Sequence, residues 1–468
     1  MRALASRRIL LAVVAGFALA MPRPAPGAGF AVLEKSARGL GTAYAGETAA
    51  AEDPSTIFGN PAGMTLLSGT QFAASGFAIL PAAQFHDSGS RLNAAVGGGR
   101  LTGGDGGDAG SLALVPSFFL VQPLGDRVRV GLGVFAPFGL ATDYDRGWQG
   151  RYHALSSSLY TVDADPSLAV KVTDWLSVGG GADVQYAQAR LTNSLDMGSI
   201  CRIFGARRGT PPAVCDALGL RPQKVDGAVR LNGDDWNVGY NLGLLFTPTA
   251  RTRVGLSYRS DIEHDLGGSA AFFVPKKAVI LTKVSGALVD TGAHAATDFP
   301  ERVGLGASHE ITSRWTVLAD IVWTRWSRFD ALVFRFDNPK QPRIVQPEGW
   351  TDSFRYALGV RYTPNRIWTF RLGTAYDESA IPGGAERTPR IPDADRIWLA
   401  AGIGVRPVER VQLDLGYAHI FSPSVSIDNA DPVTGHRLRG NYDAYADVIG
   451  VQLTWNVGWP PLGAVSAP

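Results

Sequence analysis

The stretch Trp236-Asn237-Val238-Gly239-Tyr240-Asn241-Leu242-Gly243-Leu244-Leu245-Phe246 decides the fold. In an extended chain successive side chains point to opposite sides, so Trp236, Val238, Tyr240, Leu242, Leu244 and Phe246 share one face. Asn237, Gly239, Asn241 and Gly243 share the other. The result is a strand with one greasy face and one polar or tiny face. The pattern returns at Trp368, Phe370, Leu372 and Tyr376 against Thr369, Arg371, Gly373 and Asp377, and again at Val411, Leu413, Leu415 and Tyr417 against Gln412, Asp414 and Gly416. A greasy face of this kind meets either a second sheet or lipid.

The connections decide between the two. Strands are expected near 70–80, 111–122, 127–136, 157–171, 174–190, 234–247, 251–264, 301–311, 314–330, 351–363, 366–377, 395–406, 409–421 and 444–458. Tight turns at Pro123 to Asp126, Val172-Thr173, Pro248 to Ala250, Thr312-Ser313, Pro364-Asn365 and Pro407-Val408 alternate with long connections. One tight rim and one elaborate rim mark an outer-membrane barrel, with Trp and Tyr near the strand ends as interfacial girdles. An even count places both termini at the tight rim. The expected fold class is all-β, a transmembrane antiparallel β-barrel of about fourteen strands.

Composition agrees. Of 468 residues, 56 are Gly and 10% are aromatic, while Met numbers 4, which suits strands and turns. With 44 Lys+Arg against 42 Asp+Glu there is no overall field to recruit nucleic acid. Arg2, Arg7 and Arg8 precede the apolar run Ile9 to Met21 and the small residues around Ala25 to Ala28, so residues 1–28 read as a secretory signal. No later segment offers a helix-length apolar run, and a mature chain in a membrane must then cross it with strands. Cys201 and Cys215 lie close together in an exported chain, where one loop-stapling disulfide is expected. Two thiols without nearby His or further Cys do not make a zinc site, and no metal or cofactor is expected.

Residues 29–68 are different. The run Gly29-Phe30-Ala31-Val32-Leu33-Glu34-Lys35-Ser36-Ala37-Arg38-Gly39-Leu40-Gly41-Thr42-Ala43-Tyr44-Ala45-Gly46-Glu47, followed by Gly59-Asn60-Pro61-Ala62-Gly63, is too weakly amphipathic for a core of its own. It is expected to plug the barrel as an N-terminal hatch inside the lumen. Residues 69–459 are the barrel and 460–468 a C-terminal tail.

The hatch motifs Gly39 to Glu47 and Asn60-Pro61-Ala62 resemble the FadL/TodX family of outer-membrane transporters for long-chain fatty acids and other hydrophobic compounds. So do Phe138-Gly139-Leu140-Ala141-Thr142, Leu231 to Trp236, Leu256-Ser257-Tyr258-Arg259-Ser260, Trp368-Thr369-Phe370-Arg371 and Ile391-Pro392-Asp393-Ala394-Asp395-Arg396. The likeness spans the mature chain and implies a fourteen-stranded barrel with a hatch. It also implies that a kink in the third strand opens the wall sideways. The chain departs from barrels of this kind at its end, where Trp455 and Trp459 are followed by Pro460-Pro461-Leu462 rather than a terminal aromatic residue.

Candidate transport residues follow. Proline cannot donate to a ladder and glycine weakens it, so pairing should break at Ala136-Pro137-Phe138-Gly139-Leu140, the expected lateral gate. Gly29 and Phe30 are expected to reach a ligand pocket, with Asn60, Pro61 and Ala62 forming a turn that fixes the hatch to the wall. Inward charges are Asp320, Arg355, Arg361, Arg371, Asp377, Arg396 and Asp414, of which Arg371 and Asp377 are expected to anchor the hatch. A carboxylate ligand needs a cation, for which Arg190 and Arg343 at loop bases are candidates. The segment Phe272 to Leu281 reads as an exposed landing site.

The expected function is passive uptake of hydrophobic molecules by a monomer in the Gram-negative outer membrane. Its partners are long-chain fatty acids, with aromatic hydrocarbons as the alternative ligand, and the surrounding outer-membrane lipid. An adhesive barrel explains the loops but neither the kink nor the hatch, and a general porin would be blocked by the plug. An outer-membrane enzyme needs a nucleophile beside a positioned His, yet Ser308 and His309 are adjacent and point apart. Gly179-Gly180-Gly181 lacks the Lys-Ser/Thr of a phosphate loop.

Overall fold

A computed structural model describes residues 29–458. The expected signal (1–28), Trp459 and the tail (460–468) lie outside the described residues.

The described residues form twenty strand segments in one antiparallel sheet. Six pairs of segments are successive halves of one stave, so the sheet is a closed barrel of fourteen strands. Gln71–Asp87, the first strand, pairs along its full length with Arg437–Asn456, the last, from Gln71 opposite Asn456 to Asp87 opposite Gly440. Closure of the first strand on the last leaves the sheet without a terminal edge strand. Turns at one rim are short, as expected. At the other rim the strands run past their expected ends: the fifth is Leu176–Asp196 and the sixth Asp226–Thr249. The ladder continues after the greasy alternation stops, because backbone pairing does not depend on the lipid face.

The outward positions are those that the alternation predicts. Trp236 is 63%, Leu242 53% and Leu372 62% exposed. Each would cost about 1.5–3 kcal/mol in water relative to burial, a penalty that lipid removes. Aromatic pairs line both ends of this band, Trp175 with Phe246 and Trp315 with Tyr362 near the tight rim, Tyr186 with Trp236 and Tyr240 with Tyr258 nearer the other.

The tiny inward residues are explained by what fills the lumen. A Cβ on Gly373 would stand 2.1 Å from the carbonyl of Thr42, and one on Gly243 2.0 Å from Asn60 Oδ1. The hatch therefore lies directly on the wall, by backbone at Thr42 and by side chain at Asn60. The hatch has short helical turns at Ala37–Leu40 and Thr56–Gly59 and a 3-10 turn at Pro61–Leu66, with the first barrel strand starting at Gln71.

Interruptions gather at one height. The third strand is split into Val128–Phe135 and Gly139–Asp143, the seventh into Thr252–Arg259 and Ile262–Phe273, and the eighth into Thr291–Phe299 and Arg302–Glu310. In the ninth strand a short helical turn, Trp326–Arg328, separates Trp315–Thr324 from Ala331–Phe336, where uninterrupted strand is expected over 314–330. These breaks turn side chains inward from the wall and build the site.

Candidate functional site: an apolar cavity behind an interrupted wall

Pairing between the second strand, Ala113–Pro123, and the third stops at Phe118 opposite Val134. It resumes only at the Gly110–Thr142 bridge, supported by the Asp143 N–H donating to the Ala109 carbonyl at 3.1 Å. Residues 111–117 thus border a gap in the wall, faced by Ala136-Pro137-Phe138. Pro137 cannot donate a backbone hydrogen bond, so the break costs one donor fewer. Leu112 and Leu114 on the rim are 64% and 74% exposed.

The first hatch residues take up the pairing that the third strand gives up. Val32 N–H donates to the Pro137 carbonyl at 2.8 Å, and Gly139 N–H to the Phe30 carbonyl at 3.0 Å. Lys35 Nζ donates to the Ala136 carbonyl at 2.9 Å and lies 4.6 Å from the centre of the Phe58 ring. Burial pushes the Lys35 ammonium down to about 7, against the opposing charges of Glu34 and Glu47.

Phe30 sits in an aromatic cage. Its ring centre lies 4.8 Å from Trp326, 5.4 Å from Phe329, 5.7 Å from Trp350, and 5.8 Å from both Phe138 and Phe299. Most of these contacts are edge-on, the arrangement that ring quadrupoles favour. Gly29 is fixed behind it: its N–H donates to Asp393 Oδ2 at 2.7 Å and its carbonyl accepts from Arg396 at 3.0 Å, while Arg396 and Asp393 pair with each other. Gly29 has φ +60, and a Cβ there would lie 2.6 Å from the Trp350 ring, so only glycine fits.

In front of this segment lies a cavity of about 670 Å³, lined by Phe30, Leu114, Pro137, Leu159, Phe299 and Ile391 among others. It extends from the cage to the interrupted wall. A volume of this order holds a lipid-sized or smaller apolar molecule. Arg355, Asp377 and Arg396 also line it. A second groove, of about 220 Å³, lies among the outer loops between Ile200, Phe204, Leu231, Phe272 and Arg343. The Cys201–Cys215 disulfide, with an S–S distance of 2.04 Å, staples its wall.

The hatch is held from below by charge. Arg371 donates to Asp414 at 2.8 Å and lies 3.7 Å from Glu52 of the hatch, which also pairs with Arg361. Arg38 of the hatch reaches Asp414 at 3.0 Å. The three arginines hold the Glu52 carboxyl well below the usual carboxylate range, at about 2, despite burial. Asn60 accepts from Ala62 N–H at 3.1 Å and donates to the carbonyls of Thr48 at 2.8 Å and Leu244 at 2.9 Å, so one side chain caps the turn and ties it to the wall.

Of the residues singled out in the sequence, Gly29, Phe30, Arg396 and the 136–140 segment come together at the cavity. Arg371 touches the hatch, whereas Asp377 lines the cavity. Arg190 is exposed and donates to Asn232 at 2.9 Å on the outer wall, which places it away from the cavity, and Arg343 borders the outer groove. In the loop segment, Phe272 and Leu281 pack against the disulfide cluster, leaving Val279 and Ile280 exposed. Sequence reasoning missed the cage residues Phe299, Trp326, Phe329 and Trp350, and also Lys35 and Asp393. The available signal was Trp326 and Phe329 three residues apart, a helical spacing inside an alternating run.

Comparison with known proteins gives the family. The model of the outer membrane protein transport protein family (OMPP1/FadL/TodX) matches residues 18–456. A long-chain fatty acid transport protein of Escherichia coli O6:H1 is 28% identical over 426 residues, covering 89% of this chain and 92% of that protein. Outer membrane protein P1 of Haemophilus influenzae is 27% identical over 449 residues, covering 92% and 95%. The crystal structure of a Pseudomonas aeruginosa FadL homologue superposes with a TM-score of 0.82 at 25% identity, covering 92% of this chain and all of that one. This chain belongs to the OMPP1/FadL/TodX family of outer-membrane transport proteins, and it is a hydrophobic-compound transport channel of the Gram-negative outer membrane rather than an enzyme.

Proposed function

We propose that the protein takes up long-chain fatty acids passively, as a monomer, by capture at the outer groove, transfer to the cavity behind Phe30, and sideways exit into the outer leaflet at Pro137. The observation that carries this reading is the continuity of the cavity with the interrupted wall between the second and third strands. An apolar chain gains about 0.8 kcal/mol per CH₂ by passing to lipid rather than water, so a sideways exit runs downhill. The hatch segment Gly29 to Val32 closes the cavity, and its displacement opens it. The anchored remainder of the hatch, around Glu52 and Asn60, stays in place.

Length and charge favour a fatty acid. The cavity is large for a single ring, and Arg355 and Arg396 on its wall offer a cation to a carboxylate. The relatives named as fatty acid transport proteins support the same ligand. The alternative, an aromatic hydrocarbon, is favoured by the cage around Phe30, whose rings would take an aromatic guest when Phe30 withdraws.

Uptake of labelled oleate and labelled toluene, side by side in cells whose own transporter is deleted, tests the reading. Oleate uptake dependent on this chain is the expected result. Toluene uptake alone moves the ligand to the hydrocarbon class, and uptake of neither, with the folded barrel present, overturns the transport route.

A further inference from the structure

The crown of outer loops carries a charge that the whole-chain balance conceals. Segments 197–225, 274–290 and 337–343 hold ten Lys and Arg against three acidic side chains, although the chain as a whole nets only +2. Arg202 pairs with Asp216 at 2.7 Å, and the other nine basic residues are exposed. Among them stands the short helix Val279–Ser285, which buries none of its residues. Val279, Ile280 and Val284 are 37%, 41% and 60% exposed, flanked by Lys276, Lys277 and Lys283.

This platform is built. Asn338 donates to the Gly286 carbonyl at 2.9 Å, Arg208 to the Val284 carbonyl at 3.3 Å, and Leu288 N–H to Gln341 at 2.9 Å, while Ala278 and Leu288 pack on the disulfide cluster. The crown also reaches the loop after the first strand, through Arg202 to the Val96 carbonyl at 2.7 Å and Gln223 to the Arg100 carbonyl at 3.1 Å. It therefore covers the barrel mouth and faces away from the membrane that the barrel spans.

Exposed aliphatic side chains set among lysines are the chemistry of an interfacial binder. A soluble polyanion would neutralise the lysines and leave the aliphatic side chains in water. A neutral lipid surface would cover the aliphatic side chains and leave the charge unanswered. An anionic lipid surface satisfies both, because its headgroups attract each basic residue and its acyl region accepts Val279, Ile280 and Val284.

We propose that this crown docks an apposed anionic lipid surface, a vesicle or micelle approaching from outside the cell. Docking holds such a particle at the mouth of the outer groove, whose rim includes Gln341 and Arg343. The proposal concerns attachment and goes beyond the transport reading, since a particle can dock whether or not anything then passes through the cavity.

The full-length protein in nanodiscs of phosphatidylcholine, mixed with phosphatidylglycerol-doped or pure phosphatidylcholine vesicles, tests it by co-flotation. Binding to the doped vesicles is expected to exceed binding to the neutral ones by about tenfold or more and to weaken steeply with added salt. K276E/K277E/K283E and I280S/V284S are each expected to abolish most of it, while Gly139→Trp, at the cavity, retains it. Equal binding to neutral vesicles, or binding that neither loop variant alters, overturns the proposal. So does a protein that ignores vesicles but retains lipopolysaccharide through these lysines, which would assign the charge to its own outer leaflet. Heat-modifiable migration of each variant shows that the barrel has folded.

Discussion

Val32 donates its backbone N–H to the Pro137 carbonyl at 2.8 Å, so a hatch residue, rather than the neighbouring second strand, completes the hydrogen bonding of the interrupted third strand. In the proposed route, closing the cavity and pairing the kink are then one event: displacing the first hatch residues would expose backbone groups at Pro137 and Gly139 as the cavity opens, and an exit there would be gated by the same motion.

Filling the space beside this contact separates exit from folding. A Cβ at Gly139 would lie 3.2 Å from Val32 Cγ2, facing the cavity. Gly139→Trp is expected to reduce ligand uptake to near the level of cells lacking the protein, with the heat-modifiable barrel unchanged. Unaltered uptake in that variant would remove the sideways exit.

Phe30→Ala empties the aromatic cage. Truncating a buried phenylalanine costs about 3–5 kcal/mol, and here the loss falls on the seating of residues 29–32 rather than on the ladders of the barrel. The side chains around Trp326 and Trp350 then become accessible. Their fluorescence is expected to be quenched by acrylamide far more strongly than in the wild type, at unchanged barrel content. Quenching equal to the wild type would mean that other contacts hold the segment.

The barrel was legible because lipid and hatch impose opposite demands on alternate residues. Leu372 must be greasy and Gly373 tiny for reasons that act at each position separately, and both can be read from one strand. The kink was legible through Pro137. The cage was not, because Phe299, the Trp326 and Phe329 pair, and Trp350 come from three different stretches of chain and meet only through the fold of the barrel. Asp393 stood in the Ile391 to Arg396 motif, but its contact with Gly29 was hidden because the two lie far apart in sequence. The charge of the loop crown was masked by averaging, since acidic residues elsewhere bring the sum to +2.

Arg371 and Asp377 occupy the same face of one strand, yet they should differ when replaced. Arg371 contacts Glu52 of the hatch and Asp414 of the wall, and removing one partner of a buried ion pair costs about 3–5 kcal/mol. Arg361 and Arg38 still serve the two carboxylates, which moves the expectation to the lower end. Arg371→Met is expected to increase amide hydrogen exchange over residues 36–56 and to raise small-solute conductance in planar bilayers. Asp377→Asn, whose side chain lines the cavity, should leave both at wild-type values. Equal effects from the two would place Asp377 among the anchors after all.

Glu348 makes the neighbourhood of the cage sensitive to pH. Its carboxyl is buried and pushed up to about 8 by loss of hydration, against the opposing pull of the Trp350 side chain and the Arg390 charge. In the unfolded chain the same group titrates near 4.5. Between those values the folded protein holds a proton that the unfolded chain has released, so this group's contribution to stability is full below 4.5, declines as pH rises, and is gone above 8. Glu348→Gln cannot ionise and should show no such decline. The melting temperature of the variant minus that of the wild type is therefore expected to grow steadily from mildly acidic to mildly alkaline buffer and then level off. A difference that stays flat across this range would mean that Glu348 ionises freely and that the cage region admits water.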